Sequence, residues 1–405
     1  MNPDEYRAPE AGRIVYTPTG YAAFVPAPLP PTLSYTPELA LTLSQADAAL
    51  GELSGIGRLL PNPHLLIASY IRREAVLSSR IEGTRTRLAD LFLHEAAGDR
   101  TPDPTGPEAA DLREVRNYVA ALEQGIQRLT VLPLSLRLVR ELHARLMEGV
   151  RGEWATPGEF RLSQNWIGPP GSTLVSATYV PPPPADLPEV LANWERFLHN
   201  RGAIPDLIQC ALMHERFEAI HPFLDGNGRV GRLLITLFLV ERERLSQPLL
   251  YLSTYLEAHR QEYYDRLQHV RTDGDWSGWL LFFLTAVAVT AREATSQARR
   301  LLELRESLRH RLRDKARALA LIDALFVNPY VSVARAADLL QVSNPTARQT
   351  VGLLLEQGLL EEITGRDWGR LYLARPILEA IDPASQPNQA PVQLATQETP
   401  PCLSS

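Results

Sequence analysis

The run His221-Pro222-Phe223-Leu224-Asp225-Gly226-Asn227-Gly228-Arg229-Val230-Gly231-Arg232 constrains this chain more than any other stretch. It sets a proline and closely spaced glycines between two segments of helical character, Leu207 to Ile220 before it and Leu233 to Val240 after it. Gly226 to Gly231 also satisfies a G-x-G-x-x-G pattern. A dinucleotide-binding turn needs a β-strand directly before the glycines and an acidic residue about twenty positions on. The preceding residues carry helical periodicity, so a Rossmann site does not follow.

The same residues suit an anion cradle. Small residues let backbone N–H groups approach an oxyanion, a helix follows with its positive end toward that anion, and Arg229 and Arg232 supply charge. Phosphate is the expected ligand. Asp225 stands where a carboxylate can hold magnesium against phosphate oxygens, and His221 stands where an imidazole can take a proton from an incoming hydroxyl. Taken singly, a histidine before proline is an ordinary helix end and Asp-Gly-Asn-Gly an ordinary turn. Their coincidence with the two arginines points to chemistry. His143, His214 and His259 lack such company and read as structural or exposed.

Around this centre the pattern is mainly helical. Residues 1 to about 36, with Pro26, Pro28, Pro30 and Pro31, read as an extended arm on the surface. Leu65, Leu66, Ala68, Ser69, Ile71, Ala75, Val76 and Ser79 form a helical stripe ending near Gly83. Gly98 to Pro107 is expected to be a loop, and helices are expected over Ala109–Leu129, Leu134–Met147, Leu187–Leu198 and Pro205–Glu218. Trp166 to Pro184 breaks the rhythm and reads as a short hairpin or flap. Helices resume over Tyr255–Val270 and Trp276–Ala291, with a long arginine-rich helix over Thr295–Leu321. The carboxy-terminal order, Ala316–Phe326, Val333–Leu340, Asn344–Gln357 with Ser343 as N-cap, then strands at Glu361–Thr364 and Arg370–Leu373, resembles a winged helix-turn-helix. The Pro/Gln/Thr-rich end from Ser385 reads as disordered.

Composition removes several roles. A net charge of -6 is no coat of positive charge for non-specific nucleic-acid binding, and two cysteines, Cys210 and Cys402, build neither a disulfide framework nor a thiolate metal site. The first residues lack the apolar core of a signal peptide, and Leu280–Val289 is too short to span a bilayer, so no membrane role and a cytoplasmic protein are expected.

The central run resembles the Fic-family signature His-Pro-Phe-x-Asp/Glu-Gly-Asn-Gly-Arg-x-x-Arg at every defined position. The resemblance continues in Gly158-Glu159-Phe160-Arg161, in Val180-Pro181-Pro182-Pro183-Pro184 and in Glu262-Tyr263-Tyr264, and covers roughly residues 60 to 290. It implies transfer of AMP from ATP, with Mg2+, onto a Ser, Thr or Tyr hydroxyl of a target protein. His221 would be the base, Phe223 would pack beneath the loop, and Asp225 would bind the metal. Gly226, Asn227, Gly228, Arg229, Val230, Gly231 and Arg232 would line the phosphate site. Tyr263, Tyr264 and Leu267 match positions near the adenine, and Ser176, Ala177, Thr178 and Tyr179 match a flap that holds the target. Arg271 departs from the asparagine that some relatives place toward the base.

The resemblance also implies a brake. Ser78-Ser79-Arg80-Ile81-Glu82-Gly83 is similar to the family's inhibitory Ser/Thr-x-x-x-Glu-Gly/Asn motif, and Ser78 and Glu82 fall on one helical face. Glu82 would pair with Arg232 in place of a γ-phosphate, and the same carboxylate would serve removal of AMP by orienting water. The expected organisation is an arm and first helices over 1–60, an inhibitory-helix region over 61–107, a catalytic core over 108–292, a connector helix over 293–315, a winged helix-turn-helix over 316–384 and a disordered tail over 385–405.

Two competing readings use the same residues. One is a transcriptional regulator whose Fic-like part senses a nucleotide. The other is a phosphotransferase of the same fold. Arg317, Arg335, Arg348, Arg366 and Arg370 stand against Asp323, Asp338, Glu356, Glu361, Glu362 and Asp367, so the carboxy-terminal part has no basic face for DNA. A protein-docking or dimerising role, in a homodimer, is expected for it at least as much as binding to DNA.

Overall fold

The computed structural model describes residues 1–59, 64–97, 106–150, 156–169, 171–202, 204–366 and 368–383. The expected loop at 98–107 lies mostly outside these residues, and the tail from Ser385 entirely so.

The chain opens with strands β1 (Gly12–Tyr16) and β2 (Ala22–Pro26), followed by helices α1 (Pro37–Leu59), α2 (His64–Ile81), α3 (Leu88–Ala97), α4 (Pro107–Arg128) and α5 (Leu136–Leu146). Next come α6 (Leu187–His199), α7 (Asp206–Ile220), α8 (Asn227–Glu241), α9 (Ser253–Ala258), α10 (Arg260–Asp273) and α11 (Trp276–Arg311). The last part comprises α12 (Ala316–Val327), β3 (Tyr330–Ser332), α13 (Val333–Leu340), α14 (Asn344–Glu356), β4 (Glu361–Glu362), β5 (Leu371–Leu373) and α15 (Arg375–Ile381). The fold is mainly helical, as the periodicity requires. No helix among the described residues is long and apolar enough to cross a membrane.

Helix α7 lies at the centre. Every residue from Leu207 to Ile220 is buried, which is the condition of a helix enclosed on all sides. Two tryptophans pin it through polar edges as well as bulk. Trp194 Nε1 donates to the Met213 carbonyl and Trp279 Nε1 to the Ala211 carbonyl, each at 3.0 Å. Truncating a buried aromatic of this size typically costs about 3–5 kcal/mol. Helix α8 packs against α7, and α1 packs against α11.

Four expectations change. The amino-terminal arm is a hairpin: β1 and β2 pair antiparallel with Gly12 opposite Pro26, and Ala23, Phe24 and Val25 are buried. Alternation was short and the flanking prolines dominated the pattern, so only tertiary burial reveals the strands. At Gly12 a Cβ would stand 2.5 Å from the Phe24 ring, which explains a glycine in a strand. The hairpin expected between Trp166 and Pro184 is reduced to one antiparallel bridge, Ile167 opposite Tyr179. The helix expected over Thr295–Leu321 is two helices: α11 runs unbroken from Trp276 to Arg311, and α12 starts at Ala316. Ser343 occupies the N-cap position of α14, but its side chain makes no capping bond there.

The three expected carboxy-terminal helices and two strands occur in sequence as α12, α13, α14, β4 and β5, but β3 and α15 are additional, and the sheet is three-stranded in the order β3-β5-β4. Helix α12 packs on α2, and Asn328 Nδ2 donates to the Phe92 carbonyl at 2.9 Å. Arg73 of α2 and Gln297 of α11 both bond to the Ile381 carbonyl at the end of α15. This part therefore shares the main core.

The amino-terminal hairpin braces the flap, since the Phe24 amide donates to the Val180 carbonyl at 2.9 Å and the Phe24 ring lies 6.1 Å from that of Tyr179. Phe24→Ala is expected to destabilise this corner by about 3 kcal/mol. Hydrogen exchange read by mass spectrometry should accelerate over 12–26 and 167–180 while α7 stays protected.

Candidate active site

The turn from α7 to α8 places His221 at the C-cap of α7 with φ 48° and ψ 61°. A left-handed non-glycine residue is uncommon and is held by its surroundings. Here the surroundings are specific. Arg161 Nε and Asn165 Nδ2 donate to the His221 carbonyl at 2.9 and 3.2 Å, and Asn165 also reaches the Phe223 carbonyl at 2.7 Å. Asn227, the first residue of α8, closes the loop from the other side: its Oδ1 accepts from the Phe223 amide and its Nδ2 donates to the Phe223 carbonyl, both at 2.8 Å.

Phe223 is fully buried beneath this loop and stacks on His143 with centroids 3.7 Å apart and planes 4° from parallel. His143 Nδ1 accepts from the Gly158 amide at 2.8 Å, so Nε2 carries the proton and donates to the Asp225 carbonyl at 3.0 Å. Burial pushes His143 down to about 4, which keeps that tautomer neutral. His143 is thus structural, as expected, yet it supports the loop directly.

His221 is also held neutral. Burial is the first cause, the charges of Arg161 and Arg271 the next, and together they lower it to about 3 against the opposing pull of Glu82 and the Glu218 carbonyl. A neutral imidazole can accept a proton. Its Nδ1 is buried without a hydrogen-bond partner among the described residues.

Gly226 is the N-cap of α8, with a φ of 78° that no side chain adopts readily. Asp225 is half-exposed at this helix start; its Oδ1 accepts from the Gly226 amide at 2.6 Å and lies 3.8 Å from Arg229 Nη2. Arg229 is buried and pairs with Glu114 at 3.0 Å. Arg232 is the more elaborate contact. Its Nε donates to Ser78 Oγ at 2.8 Å, and its Nη2 donates to the Ser78 carbonyl at 3.0 Å and to Glu82 Oε1 at 2.6 Å. Burial opposes the charge on Arg232, but the Glu82 carboxylate raises its pKa far above the ordinary value. Burial likewise opposes ionisation of Glu82, and Arg232 overrides it, with Arg229 and His221 adding to the lowering.

Gly228 faces this pair: a Cβ there would lie 2.3 Å from Glu82 Oε1 and 2.9 Å from Arg232 Nη1. Glycine is needed because the carboxylate occupies the side-chain space. Gly231 is needed for a different reason, a Cβ there lying 2.4 Å from Glu218 Oε1 at the α7–α8 crossing. Val230 is buried in the core behind the turn. Gly83, with φ 106°, terminates the segment after α2.

The remaining candidates divide. Tyr263 and Leu267 are buried on the inner side of α10, and the Tyr263 hydroxyl bonds to His214 Nε2 at 2.8 Å. Tyr264 is 39% exposed and feels the charges of Glu82 and Arg232. Arg271 is buried, 4.1 Å above the Tyr179 ring and 3.8 Å from Glu215. In the flap, Ser176 and Thr178 are exposed while Ala177 and Tyr179 are buried. The Tyr179 hydroxyl donates to the Ala219 carbonyl at 2.7 Å, which seats the flap on α7.

A magnesium ion usually keeps several waters and takes one or two protein carboxylates together with substrate phosphates. Asp225 fits that demand: it is half-exposed beside the helix start, and no hydrogen bond or ion pair among the described residues engages its Oδ2. No group of three or more metal-binding side chains occurs among those residues, so an all-protein cage is not what this site offers.

Sequence patterning assigned no role to Asn165, Glu114 or Glu218. Nothing in their local spacing marks them, because each acts on the turn from a distant segment or from the hidden face of α7. Glu218 is the most unusual. It is 7% exposed, its Oε1 has no hydrogen-bond partner among the described residues, and burial, with Glu82 adding, pushes it up to about 7 against the pull of Arg232.

The Fic/DOC family N-terminal model matches residues 40–127 and the Fic/DOC family model matches residues 133–239. A stretch of 144 residues, 35% of this chain, is 33% identical to the protein adenylyltransferase Fic of Aedes aegypti and covers 25% of that protein. Another of 88 residues, 22% of the chain, is 36% identical to a probable protein adenylyltransferase of Aquifex aeolicus and covers 28% of it. The chain thus matches about a quarter of the length of these curated relatives. The crystal structure of a Fic family protein from Desulfovibrio desulfuricans G20 superposes with a TM-score of 0.56 at 22% identity, covering 85% of this chain and 98% of that one. That likeness concerns the fold.

The buried Glu218 carboxyl ties the stability of the fold to pH. Its folded pKa of about 7 lies above the reference value of 4.5, so the folded state holds the extra proton and stability falls as pH rises between those values. Glu218→Gln is expected to gain stability over the wild type progressively from pH 4.5 to 7, by on the order of 3 kcal/mol at most. Thermal denaturation across that range measures it; a gain that shrinks with rising pH would contradict the assignment.

Proposed function

The chain is a Fic-domain protein, and on that premise we propose that it is a protein adenylyltransferase which transfers AMP from ATP to a hydroxyl side chain of a target protein and is restrained by Glu82. The observation that carries this reading is the convergence at one turn of a neutral, half-buried imidazole, an accessible carboxylate and a glycine-lined helix start. The names of the curated relatives agree with it.

In this reading the triphosphate lies at the start of α8, where Gly226, Asn227 and Gly228 turn backbone N–H groups and the helix dipole toward it. Asp225 is the residue to hold magnesium, which when bound would neutralise charge on the phosphates. His221 accepts the proton of the target hydroxyl as that oxygen attacks the α-phosphorus; the bond from the α-phosphorus to the bridging oxygen breaks and diphosphate departs. The turn's contribution is positioning and preorganised charge rather than covalent chemistry. Arg232 would meet the terminal phosphate.

Arg232 is occupied, however. Glu82 takes its Nη2 at 2.6 Å and Ser78 takes Nε and shares Nη2. An anion seated where the terminal phosphate belongs leaves ATP with its α-phosphorus misaligned for attack, which costs rate steeply. The restraint is an ion pair with the side chain of Glu82 36% exposed at the mouth of the site, so a modest displacement of the segment after α2 frees Arg232.

Glu82→Gly is expected to raise AMP transfer by at least about tenfold, self-modification included, and His221→Ala in that background to abolish it. Incubation with labelled ATP and magnesium in a lysate, followed by mass spectrometry of the products, tests this. An added AMP supports the reading, an added phosphate points to phosphotransfer, and no change in the Glu82→Gly protein removes the restraint.

A further inference from the structure

Arg161 is 1% exposed, and among the described residues its guanidinium hydrogen-bonds only to carbonyl oxygens. Nε donates to His221 at 2.9 Å, Nη1 to Ser163 at 3.3 Å, and Nη2 to Pro182 at 2.6 Å and Ile220 at 3.4 Å. No carboxylate among the described residues pairs with it, and the groups that favour its charge are the phenols of Tyr179 and Tyr21. A buried cation without a counter-ion is costly, and burial lowers this one to about 10. A purely structural clamp for four carbonyls needs no net charge.

We propose that Arg161 is a positioning residue for the transfer reaction, holding His221 in its left-handed conformation, fastening the flap to the same carbonyl ladder, and supplying an uncompensated positive charge beneath the base. The proposal rests on the AMP-transfer reading for its kinetic consequences and on geometry for the rest. Three connections support it. The His221 and Ile220 carbonyls belong to the helix end that sets the imidazole, and the Arg161 amide itself donates to the Pro222 carbonyl at 2.9 Å. Pro182 lies at the flap's exit, so one planar fork spans flap and base. Phe160, its neighbour, packs 5.2 Å from Phe223, which ties the same segment to the floor of the loop.

The charge has a chemical use. Arg161, from the loop before the flap, and Arg271, from α10, both disfavour imidazolium at His221, while Glu82, from the segment after α2, and the Glu218 carbonyl, on α7, favour it. When Glu82 moves off, its opposing influence weakens and the arginines dominate. The base is then held deprotonated in the state that reacts.

The test separates charge from geometry. Lysine keeps the charge but lacks the planar fork, and methionine keeps neither. In the Glu82→Gly background, Arg161→Lys is expected to lose kcat by on the order of 100-fold with little change in KM for ATP, the scale at which a 1 Å misplacement acts. Its His221 imidazole, followed by NMR and assigned by the loss of its signal in His221→Ala, should still titrate low. Arg161→Met should lose kcat at least as far, and its His221 should titrate at higher pH. Asn165→Ala, which removes bonds to the His221 and Phe223 carbonyls without changing charge, should lower kcat with the titration unmoved. A folded Arg161→Met protein whose kcat stays within about threefold and whose His221 titration is unshifted overturns the proposal. An inactive Glu82→Gly parent counts against AMP transfer instead, and the imidazole titration still decides the role of Arg161.

Discussion

The left-handed turn at His221 is the constraint on which the rest of the site depends. A single residue there takes a conformation that L side chains avoid, and four side chains from elsewhere in the chain keep it so: Arg161, Asn165, Asn227 and, through Phe223, His143. The turn reverses the chain within a few residues and aims the start of α8 and the imidazole into one space. Strain at such a point persists only when its surroundings over-determine it. The many hydrogen bonds to backbone around 220–223 meet that condition.

Charge burial is the second theme. Arg161, Arg216, Arg229, Arg232 and Arg271 are all almost completely buried around α7 and its joint with α8. Glu114 answers Arg229, Glu82 answers Arg232, and Glu215 lies near Arg216 and Arg271 at 3.6 and 3.8 Å. Among the described residues Arg161 has only carbonyls. Such a centre is expensive to assemble without ligand, and a polyanion reaching it recovers part of that cost through Coulomb attraction in a low-dielectric setting. The proposed restraint works in the same terms, a carboxylate standing in for a phosphate.

Helix α2 carries that carboxylate's anchor and is itself held from behind. Arg73 reaches Gln297 and the end of α15, Glu74 accepts from Ser253 and from Tyr118, and α12 packs alongside. The carboxy-terminal elements therefore share packing with the helix that leads to Ser78 and Glu82. Glu82, the residue assigned to the phosphate position in the proposed restraint, directly follows a helix braced by distant parts of the chain.

Most of the helices and the central turn were legible from periodicity, capping and glycine placement. These are local properties: α7 and α8 are bounded by Pro222, Gly226 and their own apolar stripes, and the residues from His221 to Arg232 carry within a single window the pattern from which the phosphate reading is proposed. The pairing of Glu82 with Arg232 was also anticipated, through the family's short motif rather than through any local rule. The amino-terminal strands escaped notice because a short, proline-flanked hairpin earns its burial only by packing on Tyr179 and Val180. The roles of Arg161, Asn165 and Glu218 escaped for a related reason. A hydrogen bond to a carbonyl sixty residues away leaves no periodicity, and an unpartnered buried carboxyl is defined by what surrounds it. What the sequence alone determined is the chemistry available at the turn; tertiary structure decided its geometry and electrostatic state, because desolvation and long-range contacts exist only once the chain has closed around it.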